Sequence, residues 1–542
     1  MSGGNIDGFT TRNSLMHVIS DYLFQTAQRC PDATALVCGG ERLSYASLAS
    51  RAGSLSGYLA LQGLKRGDRV AVFLENSTEA VIAIFATLRA GGCIVVVNPV
   101  APPERLSFIV RSCEPKFIVS SAERLAFLQK SLELCLPLCP ALIVTGKREV
   151  DVGITPVPAS LESIFAMGHP APDGRLEPTD LAAIIYTSGS TGTPKGVTFL
   201  HGNIHAAVDP IAEYLGHTDR DIILSVLPLA SSYGLLQVLV PFYTGGCIVL
   251  EKGMAYPYDF IRRIKEERVT GFAGNPTLLA ILLRLSGLEH EDLSTLRYVT
   301  NAAAALPVAL VPKLLKVFPT AKLYLMHGLT ECLRTSYLPP AEVLTRTSSI
   351  GTGMRNVELW IQDANGRRLG RGETGELMVH GPTVMQGYWK DPEGTDRAFI
   401  RGKTPWDNTL RTNDLFRLDN DGYFHFVARS DELIKSRGEK VSPVEVEDVL
   451  YGMEEILEVR VLGIPDTLLG YAIKAEIVIR EERLLTVQQV KSFCRKHLED
   501  YKVPQIVEFV ASIPRTQAGK ITRKVAEVQS SPSLSLTSGG HP

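Results

Sequence analysis

The sequence predicts an α/β protein in which a large N-terminal layered domain precedes a small C-terminal α+β domain. Two observations carry that expectation. Short apolar runs ending in turn residues recur at 69–74, 93–97, 117–119, 142–144, 182–186, 222–227, 247–250 and 323–326, and helix-length segments such as 78–90 and 258–267 lie between them. That alternation is the signature of strands and helices stacked in layers. With 542 residues the chain is also too long for one core and divides into domains.

The elements follow in order. Within the longest uncharged run, the stretch 222–243 has the length of a membrane span, but Pro228, Pro241, Ser225, Ser231, Ser232 and Gly234 interrupt it, so a buried strand, loop and helix is expected instead. The Pro- and Gly-punctuated stretch 153–178 reads as a surface connection. A domain boundary is expected near Asp431. From Val441 a compact unit begins with Ser442-Pro443-Val444-Glu445, which combines an N-cap serine, a proline at the first helical position and a capping-box glutamate. Val446, Val449, Leu450 and Met453 give that helix one apolar face, and strands at 459–462 and 472–478 and a helix at 487–498 complete the unit. The tail 530–542 is Ser-, Gly- and Pro-rich and is expected to be disordered, so the predicted division is 1–430, 431–529 and 530–542.

Composition excludes some classes. A net charge of -2, with 45% hydrophobic and 21% charged residues, supplies no global attraction for nucleic acid or anionic membrane. Residues 1–11 lack the basic, apolar and small-residue sequence of a secretion signal. The nine cysteines include no C-x-x-C, and Cys135 with Cys139, the one close pair, reads as two small buried residues, so a reduced cytoplasmic protein is expected.

The strongest local signal is Tyr186-Thr-Ser-Gly-Ser-Thr-Gly-Thr-Pro-Lys-Gly-Val197, directly after an apolar strand. Its glycines permit tight turns, and Thr187, Ser188, Ser190, Thr191 and Thr193 add hydroxyl donors to the backbone N–H groups of Gly189 and Gly192, so the loop can wrap phosphate oxygens while Lys195 supplies charge. It is not a Walker A loop, because Gly196 follows Lys195 where Ser or Thr would be required. Taken alone, such a loop also reads as a linker.

This string resembles the phosphate-binding signature of the adenylate-forming superfamily, which comprises acyl-CoA synthetases, coumarate ligases, luciferases and nonribosomal adenylation enzymes. The resemblance runs from Leu43-Ser-Tyr-Ala-Ser-Leu48 and Gly67-Asp-Arg-Val70 to Lys520, with the motifs in the family's order. It implies that His327-Gly-Leu-Thr-Glu331 provides Thr330 to the α-phosphate, Glu331 to Mg2+ and His327 to the face of adenine. It implies that Ala302 and Ala303, in Asn301-Ala-Ala-Ala-Ala-Leu306, border adenine and the acyl pocket, with methyl groups where the family often has glycine. It implies that Asp414 in Leu410-Arg-Thr-Asn-Asp414 accepts from the ribose hydroxyls and that Arg429 is the ribose and phosphate partner, and Asn413 takes the usual glycine's place. Gly375-Glu-Leu377 and Gly387-Tyr-Trp389 match a motif read as mostly structural. Asp431 corresponds to the hinge of a mobile C-terminal domain, and Lys520 in Pro514-Arg-Thr-Gln-Ala-Gly-Lys520 to the lysine that bridges carboxylate and α-phosphate.

The implied reaction is ATP-dependent activation of a carboxylic acid to an acyl-adenylate, then transfer to the thiol of CoA or of carrier-protein phosphopantetheine. Lys195, Thr330, Glu331 and Lys520 are the expected catalytic groups, and Ser231, Tyr233, Ala303 and Gly328 the expected acid-site residues. Where the family commonly has Pro-Leu-Phe-His, Leu227-Pro-Leu-Ala-Ser-Ser-Tyr-Gly234 places Ala230 and Ser231, a departure that resembles stand-alone enzymes loading small acids onto carrier proteins. Proline activation is an alternative, although no aspartate stands near Ser231 and Ser232 to hold an ammonium group. An oxygen-using relative or a non-catalytic scaffold of the same fold are remoter ones.

Overall fold

A computed structural model describes residues 17–138, 140–146, 158–172, 174–187, 193–254, 256–404, 407–466, 469–481, 483–515 and 521–523. The chain divides into two compact units between Val427 and Ala428.

In the first unit, one sheet runs in the order Gly387–Tyr388, Lys195–Leu200, Leu181–Thr187, Cys93–Val96, Arg69–Phe73, Phe117–Ser121, Ala141–Thr145 and Ala159–Ser160. From Leu181–Thr187 to Ala159–Ser160 the strands are parallel; Lys195–Leu200 turns back antiparallel, pairing Thr187 with Lys195. The helix Thr78–Arg89 lies in this part, its N-terminus closed by Ser77, whose Oγ accepts the Ala80 N–H. The stretch expected to be a surface connection also carries structure: Ala159–Ser160 pairs with the sheet, and the helix Leu161–Met167 follows, started by the Ser160 cap and anchored by buried Leu161 and Ile164. The turn-rich composition concealed a helix of only seven residues.

A second sheet has the parallel core Lys322–His327, Tyr298–Asn301, Gly271–Gly274, Ile222–Ser225, Cys247–Leu250 and Thr34–Cys38. Its other flank, through Ser336–Leu338, Ser349–Gly353, Phe424–Arg429, Asn408–Leu418, Thr374–His380 and Glu358–Gln362, is largely antiparallel. The uncharged run resolves into the strand Ile222–Ser225, a loop and the helix Ser232–Thr244. No helix among the described residues is long and apolar enough to cross a membrane.

The second unit is built on the strands Ile434–Ser436, Glu439–Val441, Ile456–Asp466, Gly470–Ile479 and Ile506–Phe509, packed against the helices Pro443–Leu450 and Val487–His497. Ser442 caps the first helix as expected, accepting the Glu445 N–H, and the Glu445 carboxylate pairs with Lys502 at 2.6 Å.

Candidate active site

Three of the segments expected to form a site leave the carboxyl ends of parallel strands. Residues 226–231 follow Ile222–Ser225, 302–303 follow Tyr298–Asn301, and 328–331 follow Lys322–His327. Open parallel sheets leave a crevice at that edge, and a ligand placed there meets several loops at once.

Each loop is locked locally. Asn76 donates to the Leu227 and Glu251 carbonyls at 3.0 and 2.9 Å and accepts the Leu229 N–H at 3.1 Å, which fixes the 227–231 turn. Gly234 is required there, since a Cβ would lie 2.1 Å from the Pro228 oxygen. The Ser231 hydroxyl is engaged as the N-cap of the following helix, accepting the Gly234 N–H and donating to the Pro228 carbonyl. Ala302 is buried, and Ala303 stands at φ +74°, a left-handed conformation that glycine would adopt without strain. Gly328 has no space for a side chain, because a Cβ would meet the Leu333 oxygen at 2.3 Å.

His327 is held by two partners. Its Nδ1 lies 2.8 Å from the Thr335 hydroxyl and its Nε2 3.6 Å from the Asp414 carboxylate, while its ring meets the edge of Phe416. The residues expected at adenine and ribose are therefore neighbours. Asp414 is buried and follows Asn413, whose φ of +58° is the left-handed geometry that replaces the family's glycine. Glu376 steadies this turn, accepting from Asn413 N–H at 3.2 Å and from Arg411 at 2.9 Å.

The described ends of the phosphate-loop motif, Thr187 and Lys195, face each other across the antiparallel pair, and Thr193 is exposed. Ser188, Gly189, Ser190, Thr191 and Gly192 lie outside the described residues. Lys195 stacks its ammonium 4.7 Å from the centre of the Tyr388 ring, and the Tyr388 hydroxyl donates to Glu331 at 3.0 Å. One tyrosine thus joins the lysine of the loop to the carboxylate of the Thr330-Glu331 turn. The short strand Gly387–Tyr388 that carries it pairs with Val197 and Thr198, and the Thr198 hydroxyl donates to the Gly387 carbonyl at 2.7 Å. Gly196 beneath it is hemmed in by Ile184, Tyr186 and Trp389. The motif around Tyr388 was visible in the sequence, but its role was not, because the contact spans a separation of nearly two hundred residues.

In the second unit Arg429 and Asp431 form an ion pair at 3.3 Å. Lys520 lies outside the described residues, but both flanks of its segment are tied down. Arg515 pairs with Glu458 at 2.9 Å and bridges to Ile521, Arg460 donates to the Thr522 carbonyl at 2.6 Å, and Arg523 clasps Glu432 and Glu447 at 2.8 and 2.6 Å.

Residues 23–389 match the AMP-binding enzyme family and residues 445–520 its C-terminal domain. The chain belongs to the AMP-binding enzyme family. A long-chain-fatty-acid–CoA ligase of Bacillus subtilis (strain 168) is 30% identical over 529 residues, covering 93% of both chains. An oxalate–CoA ligase of Arabidopsis thaliana is 28% identical, covering 94% of this chain and 97% of its own. The anthranilate CoA ligase AuaEII, solved with anthranoyl-AMP, superimposes with a TM-score of 0.84 at 26% identity, covering 93% of this chain and 95% of that one. Like other AMP-binding enzymes of this group, the chain is an AMP-forming acid–thiol ligase that activates a carboxylic acid with ATP and transfers it to a thiol. The amino-acid-loading alternative finds no support among these relatives.

Proposed function

We propose that this AMP-binding enzyme joins a carboxylic acid to CoA, with Thr330, Lys195 and Lys520 acting on the phosphates and Glu331 as the protein ligand of Mg2+. The observation that carries the residue roles is the Lys195–Tyr388–Glu331 link, which holds a cation and a carboxylate at the carboxyl edge of the sheets. Among the described residues no three His, Cys, Asp or Glu side chains converge on a cation position. A single carboxylate suits a hard ion that completes its shell with phosphate oxygens and water. When bound, such an ion spreads negative charge off the leaving pyrophosphate.

The chain's own residues supply the rest. Lys195 and Lys520 offset charge as the acid's carboxylate approaches an anionic α-phosphate, and Asp414 and His327 orient the nucleoside. Thiolysis requires other neighbours, so Lys520 withdraws by rotation of the C-terminal unit about Asp431. A test is acid-dependent exchange of labelled pyrophosphate into ATP, followed by thioester formation with CoA and with a phosphopantetheinylated carrier protein. Exchange with thioester formation on CoA is expected. Thioester formation on the carrier protein alone would overturn CoA as acceptor, and absence of exchange with every acid would overturn the activity.

A further inference from the structure

Arg334 follows the Thr330-Glu331 turn and is 2% exposed. Its guanidinium makes no hydrogen bond and no ion pair to any described residue, its Nε is fully enclosed without a partner, and its neighbour is the Tyr233 ring, whose centre is 5.1 Å away. Burying a guanidinium with its donors unmet is costly, and cations in such places are normally paired with carboxylates or filled by water. The ring offsets only part of that cost.

A narrow cavity lies between the helix Ser232–Thr244 and the strands Tyr298–Asn301 and Lys322–His327; Arg334, His217, Gln237, Tyr298 and Thr300 form part of its lining, and the rest is mainly apolar side chains. His217, which also lines this space, carries a second buried nitrogen without a described partner. His217 is 4% exposed; its Nε2 is 2.6 Å from the Tyr298 hydroxyl, but its Nδ1 is enclosed with no partner among the described residues. Burial holds the imidazole below its ordinary pKa, so it is neutral. If Nε2 accepts the tyrosine proton, Nδ1 carries a hydrogen directed at a partner. Asp221, the carboxylate beside His217, is already spent on Arg297 at 2.6 Å and on Thr218 and Thr270. Thr300 and Met326, which line the cavity, lie near the ends of the strands that lead into the 302–303 and 327–331 segments.

We infer that Arg334 and His217 form a subsite for a second acidic group, and that the enzyme's substrates are short acids bearing a carboxylate or comparable anion distal to the one activated. This deepens the ligase reading and rests on it. As it stands the space has room for about one water molecule, far too little for an extended alkyl chain, and seating a carboxylate there requires Gln237 and Met326 to move aside. Among the described residues, the Gln237 side chain is held by one bond, to the Tyr233 carbonyl on its own helix. Arginine suits the task because its planar fork meets a carboxylate with two parallel bonds.

The test is pyrophosphate exchange with a series of short monocarboxylic acids and their ω-carboxy counterparts, using the wild-type enzyme, Arg334→Met and Arg334→Lys. The wild type is expected to favour the dicarboxylic member of each pair by at least about tenfold in kcat/KM, because a site with unmet donors rejects the analogue that cannot meet them. Arg334→Met should abolish that preference while retaining or improving exchange with the monocarboxylic acids, and Arg334→Lys should keep part of it. A wild type that prefers the monocarboxylic acids would overturn the subsite whether or not the variants fold, and would leave the ligase activity standing. Equal losses with both members of each pair in Arg334→Met would also overturn it, by showing that the arginine serves the reacting carboxylate. No exchange with any acid in the wild type would instead bring down the ligase reading and the subsite with it.

Discussion

Tyr388 shows how one side chain can serve two charged groups at once. Its ring face attracts the Lys195 ammonium, and its hydroxyl donates to Glu331. Removing the hydroxyl alone, in Tyr388→Phe, keeps the ring but leaves Glu331 free to turn, and a hydrogen bond to a charged group contributes about 1.5–3 kcal/mol. The expected outcome is a rise of about tenfold or more in the Mg2+ concentration needed for half-maximal pyrophosphate exchange, with the melting temperature little changed. An unaltered Mg2+ profile would detach Tyr388 from the metal. Ala303 makes a different trade. Its left-handed backbone costs about 1–2 kcal/mol in a residue with a Cβ, and the family resemblance implies that its methyl narrows the acid site. Ala303→Gly should therefore accept bulkier acids with no loss of stability, read from exchange rates across an acid series and a thermal melt. A lower melting temperature with an unchanged acid profile would remove Ala303 from the pocket wall.

At the scale of the element, the segment bearing Lys520 is defined by what grips its ends. Glu447 is buried, accepts the Val461 N–H at 2.8 Å and is clasped by Arg523. Burial raises its pKa, against the lowering effect of the arginine. Arg523→Met should cost about 3–5 kcal/mol by leaving that carboxylate uncompensated. The sign with pH follows from the raised value: a folded state that holds the proton more tightly than the unfolded one loses stability as pH rises from the unfolded pKa through the folded one. The deficit of Arg523→Met should thus narrow as pH is lowered from 8 toward 5, and thermal melts at both pH values check it. A pH-independent deficit would show that the ion pair is not its source. The sequence made the helix of Glu447 legible through Ser442 and Pro443, because caps act within one turn. Arg523 and Glu447 were not legible as partners, nor were Tyr388 and Glu331, because no local rule pairs residues so far apart. Arg334 was passed over for a related reason: a single arginine after a motif is ordinarily a solvated charge, and only the fold buries it.

For the whole molecule, the division of the chain between Val427 and Ala428 lies three residues before Ser430-Asp431, where the sequence resemblance put a pivot. On the proposed roles, Lys520 acts at the α-phosphate in adenylation and withdraws for thiolysis, so one arrangement would not serve both half-reactions equally. Asp431→Pro fixes φ at that position and removes an N–H, which restricts any change of backbone conformation there. The expected casualty is thioester formation, with pyrophosphate exchange retained, since Lys520 would be left in its adenylation position. The opposite control is Lys520→Ala, which should lose exchange by orders of magnitude while still converting supplied acyl-adenylate to thioester. Both variants are measured for both half-reactions on one preparation, with a melt to confirm folding. The Arg429–Asp431 ion pair complicates a simple reading of Asp431→Pro, because proline also removes the carboxylate. Asp431→Asn separates the two effects: it removes the charge, leaves φ free and should retain thioester formation. A folded Asp431→Pro that forms thioester at the wild-type rate would rule out a required pivot at this residue while leaving the adenylation chemistry intact.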